Sequence, residues 1–260
     1  MPPRLLFSDV DGTLLGADGR YAMSAAELAP AVRELDLVLA SSRTVLELAR
    51  NQRDLGIDGP VVAENGAVMG WPSTDSLSSV GLREDLDGRA WRVVLIGMPA
   101  SELRAEVREA AKRLGTTYVD QEDVDPALGR RCSVLLRPIP GRDFDALDAL
   151  AAVLRLRGLS VASGGSWLAV TGGADKGDGV RAVRDWWRRA GREHALVAAA
   201  GDGDNDIPLL LACDRRFVIA RDDGTWHPAL QALPGVECIE TPGIAGWCDV
   251  IRRLTRPQEM

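Results

Sequence analysis

Short apolar segments of this chain each end in a loop rich in polar residues and glycine, and helix-forming stretches separate these segments. They are RLLFS (4–8), DLVLAS (36–41), VVA (61–63) and ALVAAAG (195–201). Short apolar strands that alternate with helices are typical of a parallel sheet with right-handed crossovers. Because ligands of such sheets bind beyond the carboxyl ends of the strands, the sequence predicts an α/β fold with its functional residues in these loops.

The pattern of elements changes in the middle of the chain. Apolar strand-like segments and two helix-like segments there are typical of a separate α+β unit: WRVVLIGM (91–98), 100–114, CSVLLRP (132–138) and 143–157. The first pattern resumes at GGADKGDGV (172–180), which opens a helix that we expect to end near Ala190. We therefore predict a parallel-sheet core formed by residues 1–83 and 172–260, and an inserted domain, here called the insert, formed by residues 84–171.

Composition excludes several classes of function. The 31 Lys and Arg residues against 38 Asp and Glu residues give a net charge of −7, which repels nucleic acid and anionic membranes. No apolar run approaches the roughly 18 residues of a membrane span, and the first residues lack a signal-peptide core. We expect a cytoplasmic protein that binds neither nucleic acid nor membrane. With two histidines and no CxxC pair, its chemistry must depend mainly on carboxylates, hydroxyls and lysine.

The first candidate site is the segment FSDVDGTL (7–14), which follows the first predicted strand. Asp9 and Asp11 would alternate between the two faces of a regular strand, but a turn at Gly12 can bring both towards one pocket. For this short motif taken alone, a turn with two solvated carboxylates is the simpler interpretation.

The second candidate site is GDGDND (201–206), after the last of the apolar strands listed above. Like charges about 4 Å apart repel by roughly 4 kcal/mol at an effective dielectric constant of 20, so Asp202, Asp204 and Asp206 cannot all stay ionised side by side without a cation. Exposure of Asp204 to solvent would relieve part of this repulsion. The cluster predicts a site for a hard divalent metal.

Two further residues lie where the predicted strands and helices meet. Lys176 begins a helix after a glycine-rich loop, where backbone N–H groups favour an anion. Ser41 ends the second apolar strand and places a hydroxyl at the same edge of the sheet. A solvated lysine, and a serine that caps the helix beginning near Thr44, are the simpler interpretations of each residue alone.

Taken together and in chain order, these motifs resemble those of the haloacid dehalogenase superfamily of phosphohydrolases. The shared pattern is a DxDGT strand end, a serine after the second strand, a lysine that opens a later helix, and a GDxxND strand end. The insert resembles the larger, type IIB cap of the Cof-like branch. Within this branch, four segments most resemble mannosyl-3-phosphoglycerate phosphatases: ASSRT (40–44), AENG (63–66), GADKG (173–177) and PGIAGW (242–247).

The resemblance implies a Rossmann-like core and a phosphatase that acts on a small phosphorylated sugar or glycoside. Asp9 would attack phosphorus and form an aspartyl-phosphate. Asp11 would protonate the leaving oxygen and later deprotonate the hydrolytic water. Lys176 and Ser41 would hold the remaining phosphate oxygens.

The same resemblance implies a Mg²⁺ cofactor. Its ligands would be Asp9, Asp202 and the main-chain carbonyl of Asp11. Side chains around them would orient the ligands, Lys176 and metal-bound water, and these are Thr13, Asn205 and Asp206.

Substrate contacts are expected from both parts of the chain. Arg43 and Asn65 lie in neighbouring strand-end loops, although a surface ion pair would equally explain Arg43. A phosphoglycerate ester would bring a carboxylate that this net-negative protein must neutralise, and arginine can grip a carboxylate through two parallel hydrogen bonds. The candidates beside CSVLLRP are Arg130, Arg131 and Arg137, for which a solvated basic edge is the simpler interpretation.

Other functions fit the same motifs. A sucrose-phosphate or trehalose-phosphate phosphatase would differ only in substrate, and a phosphomutase would retain and rebind its phosphorylated intermediate. A sugar-phosphate sensor without catalysis would need neither Asp9 nor Asp11.

Overall fold

The computed structural model describes residues 3–73, 81–164 and 167–255. Its strands are β1 (Arg4–Ser8), β2 (Leu35–Ala40), β3 (Val61–Ala63), β4 (Val68–Pro72), β5 (Leu82–Leu86), β6 (Arg89–Leu95), β7 (Val119–Asp120), β8 (Ser133–Arg137), β9 (Leu159–Gly164), β10 (Trp167–Gly172), β11 (Leu196–Gly201), β12 (Arg215–Ala220) and β13 (Val236–Pro242). Its α-helices are α1 (Ala25–Leu28), α2 (Val45–Leu55), α3 (Ala100–Leu114), α4 (Gln121–Val124), α5 (Asp148–Leu156), α6 (Lys176–Arg189), α7 (Ile207–Leu211), α8 (Pro228–Gln231) and α9 (Ala245–Thr255).

A nine-stranded sheet forms the core, in the order β13-β12-β11-β1-β2-β3-β4-β6-β5. Neighbours from β13 to β3 run parallel, and β4, β6 and β5 continue the sheet antiparallel. Strand β1 lies in the middle and is buried on both faces: Leu5 and Phe7 pack on the side of α6, and Leu6 packs on the side of α2 and α9. The predicted α/β fold is confirmed. Within the described ranges, no helix has the length and apolarity that crossing a membrane requires.

Side-chain caps fix the starts of the helices that lie nearest the loops of interest. Ser24 and Glu27 form a capping box at the start of α1, which ends at Leu28. A second capping box at Thr44 begins α2, and Asp175 caps α6 so that Lys176 becomes its first residue. Each cap satisfies backbone N–H groups that would otherwise be unpaired.

The hairpin of β5 and β6 belongs to the core sheet. Strand β6 pairs with β4, and its side chains Trp91 and Val93 are buried in the core on the side of α2. The sequence-based boundary between residues 83 and 84 falls inside β5. An apolar strand such as WRVVL fits either sheet, so its pattern alone does not reveal its partner. We therefore propose that the insert begins after β6, near residue 97.

The second sheet has four strands in the order β7-β8-β10-β9, and the helices α3 and α5 pack on one of its faces. Side chains alternate between the two faces of a strand. Val134, Leu136, Leu168 and Val170 face the helices. The opposite face turns towards the core and carries two cross-strand rows: Ser133, Thr171 and Ser160, then Leu135, Ala169 and Ala162.

A single buried carboxylate joins the two sheets. Glu64 follows β3, has a φ of 50° and is only 1% exposed. Its oxygens accept hydrogen bonds from the backbone N–H groups of Arg131 (2.9 and 3.1 Å) and Cys132 (2.9 Å) and from the hydroxyl of Ser133 (2.7 Å). Glu64 therefore satisfies three donors that precede or begin β8.

We expect Glu64→Ala to lower the free energy of unfolding by about 3 kcal/mol or more, because each buried donor left unpaired costs about 1–3 kcal/mol. Glu84→Ala is the matched control: it breaks the 2.7 Å ion pair with the half-exposed side chain of Arg131 and should cost about 1 kcal/mol or less. Urea denaturation of both variants measures the difference. Equal losses of unfolding free energy in the two variants would show that Glu64 stabilises the contact between the sheets no more than a surface ion pair does.

Candidate active site

The turn after β1 brings Asp9 next to the loop after β11. The backbone N–H of Asp9 donates to the carbonyl oxygen of Ala200 at 2.9 Å. Gly12 has a φ of 83°, and a Cβ at this position would lie 2.6 Å from Oδ2 of Asp202. Only glycine accommodates both the backbone conformation and this close approach. The glycine of the DxDG motif thus allows the two strand-end loops to meet.

Lys176 connects these loops from the start of α6. Its side chain is fully buried, and its Nζ lies 2.5 Å from Oδ1 of Asp9 and 2.6 Å from Oδ1 of Asp206. The other oxygen of Asp206 accepts hydrogen bonds from the backbone N–H groups of Asp202 and Gly203, both at 3.0 Å. Asp206 therefore fixes both the ammonium and the backbone of its own loop.

Burial and mutual repulsion raise the pKa values of Asp9 and Asp202. Loss of solvation and the nearby charge of Asp206 hold the pKa of Asp9 well above its usual value. The same two causes raise the pKa of Asp202 to about 6. Burial alone would lower the pKa of Lys176, but the carboxylates of Asp206 and Asp9 more than reverse this and raise it. The single ammonium thus does not fully compensate three acidic groups.

The donor atoms of this cluster fit a hard divalent cation. Carboxylate oxygens of Asp9, Asp202 and Asp206 lie within 4.8 Å of one another. Both oxygens of Asp206 already accept hydrogen bonds, and Oδ1 of Asp202 accepts one from the hydroxyl of Thr13 at 2.8 Å. Oδ2 of Asp9 and Oδ2 of Asp202 accept none from the described part of the chain. Carboxylate oxygens that are free to bind a cation are ligands that suit Mg²⁺.

The second carboxylate of the DxDG motif has a different environment. Asp11 is exposed, and the guanidinium of Arg43 donates to both of its oxygens, at 2.6 and 2.9 Å. Ser41 directly follows β2 and is buried, and its hydroxyl accepts a hydrogen bond from the backbone N–H of Arg43 at 3.3 Å. The structure therefore places Asp11 and Arg43 together at the mouth of the cluster.

Two asparagines bridge neighbouring loops. Asn65 follows Glu64 with a φ of 55°, and its Oδ1 accepts a hydrogen bond from Nδ2 of Asn205 at 3.2 Å. Asn65 is nine-tenths buried. The left-handed backbone at this turn directs the Asn65 side chain towards the loop after β11, and asparagine tolerates that conformation better than most residues.

A cleft of about 700 Å³, here called the main cleft, opens above the acidic cluster between the core and the second sheet. Asp9, Asp11, Asp202, Arg43 and Asn65 line it from the core, and Gln121, Arg130 and Trp167 line it from the insert. Of the three arginines predicted to reach the substrate, Arg130 lines this cleft. The side chain of Arg131 pairs with Glu84, and that of Arg137 lies 4.9 Å from the ring centre of Trp167.

Comparisons with known proteins agree with this arrangement. The family model described as haloacid dehalogenase-like hydrolase matches residues 6–86. A glucosyl-3-phosphoglycerate/mannosyl-3-phosphoglycerate phosphatase of Methanococcoides burtonii is 28% identical, and the alignment covers 96% of each chain. A mannosyl-3-phosphoglycerate phosphatase of Pyrococcus furiosus is 26% identical over 83% of this chain and 90% of its own.

Residues 6–86 thus match the haloacid dehalogenase-like hydrolases, and the whole chain is similar to phosphatases.

Solved structures show that this hydrolase shares its whole fold with other proteins. A protein of Thermoplasma acidophilum superposes with a TM-score of 0.71 at 19% identity, covering 98% of this chain and 99% of its own. The sucrose-phosphatase of Synechocystis, solved with sucrose and phosphate, superposes with a TM-score of 0.64 at 16% identity, covering 98% of both chains. The resemblance inferred from the sequence motifs is thereby confirmed.

Some lining residues of the hydrolase were not among the sequence candidates. Arg221 and Asp222 enter the main cleft directly after β12, and Gln121 enters at the start of α4. Arg221 could have been found, because it follows an apolar parallel strand as Asp9 and Asp202 do. Gln121 begins a helix of four residues and follows no apolar parallel strand, so the sequence pattern does not mark it as a cleft residue.

We expect Mg²⁺ to stabilise the hydrolase thermally, by about 2.7 kcal/mol when its concentration is 100 times the dissociation constant. Asp202→Asn should abolish this rise in Tm, whereas Asp204→Asn, which changes an exposed carboxylate of the same loop, should retain it. The rise should be larger at pH 7.5 than at pH 5, because protons compete with the cation for Asp202, whose pKa is raised to about 6. Differential scanning fluorimetry with and without Mg²⁺ measures each effect. A full rise in the Asp202 variant would remove this residue from the ligand set.

Proposed function

We propose that this phosphatase is a Mg²⁺-dependent hydrolase of a glycosyl-3-phosphoglycerate, acting through an aspartyl-phosphate on Asp9. Its match to the haloacid dehalogenase-like hydrolases over residues 6–86 and its phosphatase relatives support phosphomonoester hydrolysis of the sugar-phosphate type. The observation that carries the mechanism is the buried carboxylate of Asp9, which contacts Lys176 through one oxygen and leaves the other free beside the main cleft.

The free oxygen of Asp9 would form a bond to phosphorus as the bond to the substrate alcohol breaks. Lys176 would bind the phosphate oxygens while Asp206 holds its ammonium in place, and Ser41 would add a hydroxyl donor at the end of β2. A bound Mg²⁺, held by Asp9, Asp202 and the main-chain carbonyl of Asp11, would neutralise charge on the phosphate. Water would then hydrolyse the aspartyl-phosphate and regenerate Asp9.

Asp11 would carry the protons of both steps. It would donate one to the leaving oxygen and take one from the attacking water. In the structure, Arg43 holds both oxygens of Asp11. An anionic substrate offers Arg43 another partner, and its arrival would release Asp11 towards the leaving oxygen. Arg43 thereby links substrate binding to the proton-transfer group.

Arg130 is the best-placed cation for the carboxylate of a phosphoglycerate. Its side chain is 5% exposed, and burial lowers its pKa. It donates to the carbonyl oxygen of Ser42 at 2.8 Å and to Gln121. Its nearest carboxylate is that of Glu47, at 3.9 Å, whose Oε2 already accepts hydrogen bonds from Thr44. Arg130 also donates to the hydroxyl of Ser133 at 3.1 Å. A buried guanidinium whose ion pair within the described residues is the long one with Glu47 favours an additional anionic partner.

Substitution of the two motif carboxylates should separate the two chemical steps. Asp9→Asn should abolish both turnover and covalent phosphorylation, because the amide is a poor nucleophile. Asp11→Asn should reduce turnover by about 10²–10⁴-fold yet still allow phosphorylation by an aryl phosphate, whose leaving group needs no proton. Rapid-quench trapping of the phosphorylated chain measures this. Phosphorylation of the Asp9 variant would identify another nucleophile.

Arg130→Met should lower kcat/KM for mannosyl-3-phosphoglycerate relative to para-nitrophenyl phosphate by about 10-fold or more, because hydrogen bonds to charged groups contribute about 1.5–3 kcal/mol. Arg131→Met, which alters the adjacent arginine paired with Glu84, is the matched control and should leave this ratio near that of the native chain. Steady-state kinetics on both substrates give the ratio. A uniform loss on both substrates in the Arg130 variant would point to damage of the cleft as a whole.

A further inference from the structure

A smaller cavity of about 240 Å³, here called the side lobe, adjoins the main cleft. The two share four lining residues, Asn65, Asn205, Ala162 and Ala169, so the two cavities form one branched space. The side lobe reaches Lys176, whose Nζ lies 2.5 Å from Asp9. A group attached close to a phosphate on Asp9 can therefore enter it.

The wall of the side lobe on the insert side is built from short side chains. Thr171 and Ser160 belong to one cross-strand row of the second sheet, and Ala169 and Ala162 belong to the next. Ser133, the third residue of the hydroxyl row, already donates to Glu64. Thr171 is 3% exposed, yet its hydroxyl has no hydrogen-bond partner among the described residues. A hydroxyl that lines a cavity and is engaged by no described protein group is available to a polar ligand.

On the core side, Asn65 contributes a second such group. Its Oδ1 is occupied by Asn205, but its Nδ2 donates to no atom within the described ranges, and the residue is 7% exposed. The charged side chains around the lobe are already engaged. Lys176 contacts two carboxylates, Asp204 lies 3.0 Å from His227, and Arg155 donates to the carbonyl oxygen of Val161 at 3.0 Å. Apart from the half-exposed carboxylate of Asp175, which caps α6, the groups left for a ligand are thus neutral: the hydroxyls of Thr171 and Ser160 and the amide of Asn65.

We propose that the side lobe binds the glycosyl ring of the substrate, with Thr171 and Asn65 as hydrogen-bonding partners of its hydroxyl groups. This inference rests on the proposed function. In a glycosyl-3-phosphoglycerate the carbon next to the phosphorylated one carries two branches, a carboxylate and a sugar. The main cleft offers Arg130 to the charged branch, and the side lobe offers neutral polar groups to the hydroxylated one. Its volume, below the roughly 300–1,000 Å³ of drug-sized sites, suits one ring.

Two substrates that differ only by the sugar isolate the side lobe. Mannosyl-3-phosphoglycerate and 3-phosphoglycerate carry the same phosphate and carboxylate. We expect Thr171→Val, which keeps the shape and removes the hydroxyl, to lower the ratio of their kcat/KM values by about 3- to 10-fold, as one lost hydrogen bond requires. Ser160→Trp, on the edge strand β9 where the residue is exposed, fills the lobe and should lower the ratio further.

Thr117→Val is the matched control, because Thr117 is an exposed threonine of the insert that lines neither cavity. Its ratio should equal that of the native chain. If Thr171→Val fails to fold, the exposed position of Ser160 keeps the test available. An unchanged ratio in both lobe variants, or the same loss in the Thr117 variant, would overturn this inference and leave the proposed function standing. Failure of the native chain to hydrolyse mannosyl-3-phosphoglycerate, with Mg²⁺ supplied, would contradict the proposed function, and this inference with it.

Discussion

The contact of one buried ammonium with two buried carboxylates holds the site together. Lys176, Asp9 and Asp206 come from the start of α6 and from the ends of β1 and β11, three segments far apart in the sequence. Removing such charges from water costs several kcal/mol per ion, and only close pairing of the ammonium with the carboxylates offsets this cost. The core must therefore pack so that the start of α6 lies against the loops after β1 and β11. This packing also sets the positions of Asp202, Asn205 and the turn at Gly12.

Under the proposed function, the core and the second sheet would divide the recognition of the substrate between them. Strand ends of the core supply the acidic cluster, where identical chemistry can serve any phosphate ester. Side chains along the strands of the second sheet alternate between its two faces. Apolar side chains pack against α3 and α5 on one face, and mostly small or polar side chains lie over the cleft on the other. Because only one face of that sheet is needed for packing, the other is free to vary without loss of its hydrophobic core.

The sequence predicts the acidic cluster because parallel strands place their carboxyl ends at one edge, whatever the details of packing. Asp9, Lys176, Asp202 and Asp206 are found together for this reason. Side-chain direction is not encoded so simply. Arg130 and Arg131 are adjacent in the sequence, yet one enters the main cleft and the other reaches Glu84.

Long-range pairing is equally hidden from local patterns. The apolar segment that becomes β6 satisfies the requirements of either sheet, and its pairing with β4 depends on contacts distant in sequence. Glu64 is a further example. An acidic residue in a loop before asparagine and glycine has the composition of an exposed turn. The structure nevertheless buries it, because three donors in residues 131–133 require an acceptor.

The position of Glu64 has a mechanical consequence. Its carboxylate is bonded to the segment that opens β8, and the next residue, Asn65, contacts Asn205 in the acidic site. A movement of the second sheet that preserves these bonds must leave this carboxylate almost in place, so the carboxylate would lie close to the axis of any rotation. Such an axis would also lie close to Asn65, the residue that follows Glu64 and contacts Asn205. Opening of the cleft would then sweep the far edge, at β9, through the widest arc, while the atoms around Asp9 stay almost still.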